Sequence, residues 1–242
     1  MFGIPTYNHS LPEHFNWAHL EKVFIEHDIC HKLVYDRWRT VQADDIVVDI
    51  GSSVGPFSYT AAMRAAKKIY LIEPSRKLLR ASIDNLSEFM IDKKENPYIF
   101  INKAIARESG LTLRENKEVK NIYDQDINPV TISFRDLVTE YNISHINFLK
   151  IDCEGGEYDI FVDENAEFLK NNVDFIACEF HGRILENGFE KFKKFREFII
   201  KNFSTYYIVS GLEYMINDYF SHDPSMEEVM SKTEPMIYII NR

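Results

Sequence analysis

Short apolar runs alternate with segments of helical periodicity from residue 46 to the end of the chain. The predicted strands are Ile46–Ile50, Lys68–Ile72, Tyr98–Ile101, Ile146–Ile151, Val173–Phe180, Thr205–Val209 and Met236–Ile240. The predicted helices are Pro56–Ala66, Ser75–Met90, Phe134–Tyr141 and Phe189–Asn202, with further helical segments within Gly156–Leu169. Because this alternation is typical of βαβ units, the pattern predicts an α/β fold with a doubly wound, mostly parallel sheet.

Three segments depart from this rhythm. The first 45 residues are rich in aromatic side chains and hold five of the eight His residues, and they predict an N-terminal helical extension (1–45) ahead of a main domain (46–242). Weak alternation between Ala104 and Phe134 predicts short antiparallel strands or loops. The segment from Leu212 to Thr233, between the last two predicted strands, is expected to form a lid.

A glycine-rich turn follows the first predicted strand. The strand ends near Asp49, and Gly51 and Gly55 then open a helix. In a doubly wound sheet, ligands bind at the carboxyl ends of the strands near the point where the strand order reverses. Glu73 ends the next strand, at about the separation from the turn at which dinucleotide folds place the acid that binds ribose hydroxyls. The pattern therefore predicts a nucleoside-binding site.

The charge of this turn favours one nucleoside ligand over another. The spacing Gly-x-x-x-Gly lacks the third glycine of a dinucleotide fingerprint, and Asp49 would repel a pyrophosphate. The ammonium and sulfonium groups of S-adenosylmethionine would be attracted to the same carboxylate. The sequence therefore favours S-adenosylmethionine over NAD. A purely local role for Asp49, as a cap of the following turn, is the alternative.

Composition narrows the choice of partners and location. The chain has 242 residues and a formal net charge of −10, which argues against a broad nucleic-acid surface and against anionic membranes. Three Cys residues without paired spacing argue against a disulfide framework and fit a reducing compartment. With no signal peptide and no long apolar run apparent, a cytoplasmic location is expected.

Several blocks of sequence resemble the FkbM-type family of class I S-adenosylmethionine-dependent methyltransferases. They are the segments 47–57, 73–74, 102–105, 148–157 and 178–181, of which the Lys-Ile-Asp-x-Glu-Gly-x-Glu block within 150–157 is the most specific. Two positions depart from the family pattern: Ser52-Ser53 replaces the usual Ala-Asn, and Phe134-Arg135-Asp136 stands where a Leu-Asp pair is usual. The resemblance implies a seven-stranded sheet with one antiparallel strand near its edge, and O-methylation of sugars or of glycosylated and polyketide products.

The resemblance and the turn chemistry together assign a donor site. Its methionine part is expected to contact the glycine turn, its ribose Glu73, and its adenine the start of the segment after the third strand. The predicted donor-binding residues are Asp49, Gly51, Ser53, Gly55, Phe57, Glu73, Pro74, Asn102, Ala104 and Asp152.

The acceptor side is expected at two neighbouring strand ends. His181 is the predicted general base because its ordinary pKa suits proton uptake near neutral pH, with Glu179 and Asp152 in support. Structural roles for His181 and a helix-capping role for Asp152 remain open, as do simple helix N-terminal placements of Glu154 and Glu157. Asp152, Glu154, Glu179 and His181 have the chemistry to hold Mg²⁺, but no spacing demands it, so no metal site is assigned.

Two further residues near this region have open roles. Lys150 is expected to pair with an acid, in the interior or at the pocket. Tyr35 is a candidate for stacking on a sugar ring or for core packing.

The donor-site pattern together with the family resemblance predicts an S-adenosylmethionine-dependent O-methyltransferase. It is expected to act on a hydroxyl of a sugar, a glycan or a glycosylated small molecule, without a nucleic-acid or membrane partner. An NAD-dependent oxidoreductase and a non-catalytic nucleoside-binding module remain alternatives. An RNA ribose methyltransferase is disfavoured by the net charge. The oligomeric state is left open.

Overall fold

A computed structural model describes residues 11, 14–17, 34–90, 96–112, 129–182, 187–209 and 235–242. Most of the predicted N-terminal extension, and the whole of the predicted lid from Leu212 to Thr233, lie outside these residues. The domain boundary predicted at residue 45 stays a prediction.

Seven strands form one mixed sheet, as the sequence and the family resemblance predict. They are β1 (Ile46–Ile50), β2 (Lys68–Ile72), β3 (Tyr98–Ile101), β6 (Ile146–Ile151), β7 (Val173–Glu179), β8 (Tyr206–Val209) and β9 (Met236–Ile240). Their order is β3-β2-β1-β6-β7-β9-β8. All neighbouring pairs are parallel except those of β9, which runs antiparallel to β7 and β8.

Six α-helices connect or flank these strands in the described parts of the chain. They are α1 (Pro56–Met63), α2 (Arg76–Leu86), α3 (Phe134–Glu140), α4 (Glu157–Ile160), α5 (Asp163–Asn171) and α6 (Gly188–Asn202). The start of α2 follows ordinary capping chemistry, because the Ser75 side chain accepts a hydrogen bond from the backbone N–H of Leu78. The helix ends earlier than predicted and passes into a 3₁₀ turn, Ser87–Phe89.

The expectation of antiparallel strands between Ala104 and Phe134 is wrong for the two strands found there. β4 (Ala104–Ile105) and β5 (Thr131–Ile132) pair in parallel, and only the isolated bridge between Thr112 and Val130 is antiparallel. Alternation shows which side chains share a face, but a strand of two residues carries no signal for its direction. The direction of such a strand depends on the end at which the chain returns to the sheet, and the alternation of apolar and polar residues does not indicate this.

The two faces of the sheet are buried in separate apolar clusters. Val48, Ile50, Leu149 and Ile151 face one cluster, which includes residues of α3, α5 and α6. Val47, Leu71 and Phe148 belong to the other, which includes residues of α1 and α2. Strands buried on both faces explain the continuous apolar runs of the sequence.

The chain winds from β1 outward to β3 and then returns to place β6 on the other side of β1. The strand order therefore reverses between β1 and β6, and the carboxyl ends of these strands form the expected crevice for a ligand. In the described part of the chain, no helix combines the length and the apolar character needed to cross a bilayer.

Candidate functional site

The glycine turn after β1 is fixed by the neighbouring strand and by the chain beyond β6. The N–H groups of Gly51 and Ser52 donate to the carbonyl oxygen of Ile72 at 2.9 and 3.1 Å. Gly51 has a φ of 76°, and a Cβ built on it would lie 1.6 Å from the carbonyl oxygen of Asp152. Both the backbone angle and the close approach therefore require glycine here.

Glu73 is bound directly to this turn. The N–H of Ser53 donates to Glu73 Oε2 at 2.9 Å, and the N–H of Ser75 donates to Oε1 at 2.7 Å. Ser53 adopts a left-handed φ of 53° within this turn. Burial raises the pKa of Glu73 to about 7, although the two N–H donors and the Lys150 charge oppose the rise. The predicted ribose-binding acid thus lies beside the predicted donor turn.

Asn102 holds the chain next to Glu73. Its Nδ2 donates to the carbonyl oxygens of Glu73 and Pro74 at 3.0 and 2.8 Å, and its Oδ1 accepts from Arg76 Nε at 3.2 Å. The side-chain amide of Asn102 therefore shapes the turn that follows β2. Ala104, predicted beside it at the adenine pocket, is a buried residue of β4.

Phe57 does not join the candidate site through its side chain. It is 1% exposed, and its ring packs against Tyr35 and Phe148 with centroid distances of 5.6 and 5.2 Å. The side chain is part of the apolar core beneath α1.

Asp49 is fully buried beneath the turn and is paired with Lys150. Ser58 Oγ donates to Asp49 Oδ2 at 2.7 Å, and Lys150 Nζ lies 3.1 Å from Oδ1. Burial opposes the charge on Lys150, but Asp49 and Asp152 outweigh it and raise its pKa above the usual value. Lys150 Nζ also donates to the carbonyl oxygen of Gly51 at 2.6 Å. The expected pairing of Lys150 is confirmed, and the Asp49 charge is offset inside the protein.

Asp152 collects contacts from three parts of the chain. The Tyr35 hydroxyl donates to its Oδ2 at 2.7 Å, and Lys150 Nζ lies 3.5 Å from the same oxygen. Its Oδ1 lies 3.6 Å from His181 Nε2. Burial would raise the pKa of Asp152, but Lys150 and His181 hold it below its ordinary value. Asp152 is therefore held as a carboxylate.

Glu179 enters the same group through Tyr35, whose hydroxyl lies 3.2 Å from Glu179 Oε2. The expectation that Glu179 and His181 lie on one side of the chain stays a prediction. The acid that orients His181 is not Glu179, however. His181 Nδ1 lies 2.6 Å from Oε1 of Glu157.

Glu157 is a fully buried acid. From the sequence, its one predicted role was a favourable position at a helix N-terminus. Besides its contact with His181, it accepts hydrogen bonds from the N–H groups of Cys153 and Gly155 at 3.2 and 2.8 Å. A buried carboxylate with two backbone donors and an imidazole partner is well satisfied. Glu157 therefore ties the loop after β6 to the loop after β7.

The surroundings of His181 favour its charged form. Burial opposes protonation, but the carboxylates of Glu157, Asp152 and Glu154 outweigh it and raise the pKa of His181 to about 11. The imidazole then carries protons on both nitrogens at neutral pH. The expected role as general base requires a neutral ring, which this arrangement disfavours.

The structure brings the predicted acceptor residues Asp152, Glu179 and His181 together, next to the donor turn. Ligand atoms of Asp152, Glu154 and His181 all lie within 4.8 Å of one another. The sequence missed the hydrogen bonds made by Tyr35 and by Glu157. Spacing along the chain gives no signal for either contact, since both partners come from distant segments.

Comparison with known proteins decides the family. A family model described as the methyltransferase FkbM domain matches residues 45–206. The chain belongs to the FkbM methyltransferase family. This membership disfavours the oxidoreductase alternative. No curated protein sequence matches the chain.

Solved structures of methyltransferases share the fold. Methyltransferase FkbM from Methylobacillus flagellatus superposes with a TM-score of 0.54 and 12% identity, over 84% of this chain and 45% of that one. The precorrin-6y C5,15-methyltransferase of Geobacter metallireducens gives a TM-score of 0.52 and 12% identity, over 99% and 100% of the two chains. This chain thus spans under half the length of the Methylobacillus protein. At this identity the likeness shows a class I methyltransferase fold.

Proposed function

We propose that this FkbM-family chain transfers a methyl group from S-adenosylmethionine to a hydroxyl of a sugar, a glycan or a glycosylated small molecule. One observation carries the proposal. The glycine turn that binds Glu73 through Ser53 also packs its Gly51 against the backbone of Asp152. Glu73, the acid predicted to bind the ribose, and the carboxylates around Asp152 on the acceptor side therefore flank the same turn.

The donor side suits the groups of S-adenosylmethionine. Glu73 uses one backbone donor on each oxygen, and a carboxylate has acceptor sites left for a ribose diol. Ser52 Oγ is buried and makes no hydrogen bond to any described residue, so a polar ligand group at the turn would satisfy it. Five carboxylates, against the two cations Lys150 and His181, favour a ligand that carries a sulfonium and an ammonium. These carboxylates belong to Asp49, Asp152, Glu154, Glu157 and Glu179.

S-Adenosylmethionine supplies an electrophilic methyl group, whose carbon–sulfur bond breaks as the acceptor oxygen forms the new carbon–oxygen bond. The protein has to align the hydroxyl with this methyl and to receive the hydroxyl proton. Asp152, at the end of β6, would accept a hydrogen bond from the acceptor. Glu179, at the end of β7, would take the proton. Tyr35 holds both carboxylates in one orientation.

His181 acts in this proposal as a cation that gathers acids. Its Nε2 lies 3.6 Å from Asp152 and 3.7 Å from Glu154, and its Nδ1 is held by Glu157. Loss of the imidazole would leave these carboxylates facing one another. Methyl transfer would then fall because the acids lose their positions.

A polyhydroxylated acceptor suits this edge of the sheet. Asp152, Glu154 and Glu179 offer carboxylate oxygens, which accept hydrogen bonds from several hydroxyls at once. The family resemblance also points to sugar hydroxyls. A cytoplasmic location and the lack of nucleic-acid and membrane partners stay predictions.

A methyl-transfer screen tests the proposal directly. The protein is incubated with S-adenosylmethionine and a panel of sugars, nucleotide sugars and oligosaccharides, and products are sought at a mass increase of one methyl. Calorimetry with S-adenosylhomocysteine and with NADH runs in parallel. Methylated sugar with S-adenosylhomocysteine binding supports the proposal. Binding of NADH alone contradicts it, and donor binding without turnover favours the non-catalytic module.

A further inference from the structure

Three side chains near the donor turn have the composition of a metal site. Asp152, Glu154 and His181 each present one ligand atom, and these atoms lie within 4.8 Å of one another. His181 Nε2 lies 3.6 Å from Asp152 Oδ1 and 3.7 Å from Glu154 Oε2. With metal–ligand bonds of about 2.1 Å, ligand atoms around a tetrahedral ion lie roughly 3.4 Å apart. The two separations from His181 Nε2, 3.6 and 3.7 Å, are close to this value, and the third pair of ligand atoms lies within 4.8 Å.

The orientation of His181 is an independent sign of ligation. Its side chain is 5% exposed, and its Nδ1 lies 2.6 Å from the buried carboxylate of Glu157. Its Nε2 has no partner within 3.5 Å among the described residues and points at the two acids. Metal-binding imidazoles characteristically donate the other ring N–H to a carboxylate, which fixes the ring and its tautomer.

Asp152 presents one carboxylate oxygen, Oδ1, to the proposed metal position. Tyr35 and Lys150 both contact Oδ2, whereas Oδ1 faces His181. Glu154 lies on the open side of the group, with 36% of its side chain exposed. An ion can therefore enter past Glu154 and still have positions free for an acceptor.

We infer that Asp152, Glu154 and His181 bind one divalent transition-metal ion of the Mn²⁺ or Zn²⁺ class, with Glu157 as the positioning residue that holds His181. One imidazole and two carboxylates favour such an ion over Mg²⁺ or Ca²⁺, which prefer oxygen ligands alone. Binding displaces the proton on Nε2, and the ion then supplies the positive charge that the imidazolium supplies in the metal-free protein. The inference rests on the proposed function for its role: the ion would bind the acceptor hydroxyl and lower its pKa.

Manganese binding tests this site without any measurement of activity. Protein freed of metal with EDTA is titrated with MnCl₂, and free Mn²⁺ is followed by electron paramagnetic resonance. We expect one Mn²⁺ per chain, and at least tenfold weaker binding in Glu154→Gln, a change of similar size at a side chain that is 36% exposed. Glu157→Gln should weaken binding about 10- to 100-fold. The matched control Glu164→Gln, whose side chain is 56% exposed and pairs with Arg107, should bind like the parent.

Three results would overturn the inference: no saturable Mn²⁺ binding, equal binding by Glu154→Gln and parent, or no ¹⁴N coupling in pulsed spectra of the parent complex. We expect that coupling to be present and to disappear in His181→Gln. Zn²⁺ should displace Mn²⁺ at far lower concentration than Mg²⁺ does, and equal potency would refute the choice of metal class.

Calorimetry with S-adenosylhomocysteine separates the two proposals. Donor binding without Mn²⁺ binding rejects only the metal site, whereas Mn²⁺ binding without donor binding rejects only the proposed function.

Discussion

The Tyr35 hydroxyl donates a hydrogen bond to Asp152 at 2.7 Å, across 117 residues of chain. Tyr35 lies ahead of residues 45–206, the part that matches the family model, while Asp152 lies within it. The same hydroxyl also lies 3.2 Å from Glu179. A residue outside the matched part thus orients two of the acids on which the proposed acceptor chemistry depends.

Removing this hydroxyl should slow methyl transfer without affecting the donor. We expect Tyr35→Phe to lower kcat about tenfold, because Asp152 and Glu179 lose their shared donor, and to leave the Kd for S-adenosylhomocysteine unchanged. Tyr98→Phe is the matched control. The Tyr98 hydroxyl is buried without a hydrogen bond to any described residue, so its removal should leave kcat as it is. Equal kcat in Tyr35→Phe and parent would remove Tyr35 from the mechanism.

Donor affinity should depend on pH through Glu73. Its pKa is raised to about 7, so the carboxylate is largely protonated at pH 6 and ionised at pH 8. Since the ionised form accepts hydrogen bonds from ribose hydroxyls, affinity for S-adenosylhomocysteine should increase over this range. We expect Glu73→Gln to bind roughly 10- to 100-fold more weakly at pH 8, with a flat pH profile. Calorimetry at both pH values measures this, with Glu164→Gln as control, and parent-like affinity in Glu73→Gln refutes the ribose assignment.

The buried pair of Asp49 and Lys150 should matter for folding. Lys150→Met leaves the fully buried Asp49 without its cation, which should cost about 3 to 5 kcal/mol of unfolding free energy. Adding Asp49→Asn removes the unpaired charge and should recover part of that loss. Urea unfolding of both variants and the parent gives the comparison. If Lys150→Met alone were as stable as the parent, the Asp49–Lys150 pair would not be needed for stability.

Glu157 should control the protonation of His181. In metal-free protein with EDTA, the His181 imidazole should not titrate between pH 5.5 and 9, because its pKa is raised to about 11. In Glu157→Gln the pKa should fall into that range and become visible by NMR. Since the folded pKa lies above 6.5, the ion pair stabilises the fold fully below pH 6.5 and loses its effect as the pH rises through about 11. Glu157→Gln should therefore cost more stability at pH 6 than at pH 9.

An observation of His181 titrating near pH 6.5 in the parent would contradict this electrostatic account. It would also restore the imidazole as a general base. The same NMR series thus decides between a positioning and a proton-accepting role for His181.

Local sequence patterns predicted most of the sheet because each strand is a buried apolar run and the carboxyl ends of parallel strands meet at one edge. Glu73, Asp152, Glu179 and His181 were selected in this way, and their roles in the site stay predictions. The partners of these residues were not, since a hydrogen bond between Tyr35 and Asp152 leaves no periodicity in either segment. The pairing of Glu157 with His181 likewise depends on how two loops fold over each other.

Charge reasoning placed Lys150 beside an acid, which the structure confirms as Asp49. It also directed Asp49 at a cationic ligand, and that assignment stays a prediction. It did not include the partial offset of the Asp49 charge by Lys150 inside the protein. A sequence gives formal charges but not the distances that decide which of them are already neutralised.

The contact between Gly51 and the carbonyl of Asp152 limits how this protein can be redesigned. There is no space for even one carbon atom between the two segments, so neither can be replaced by a differently shaped loop alone. An engineer who grafts a new acceptor loop after β6 must transplant the glycine turn after β1 with it, and selection for a new substrate would have to change both loops together.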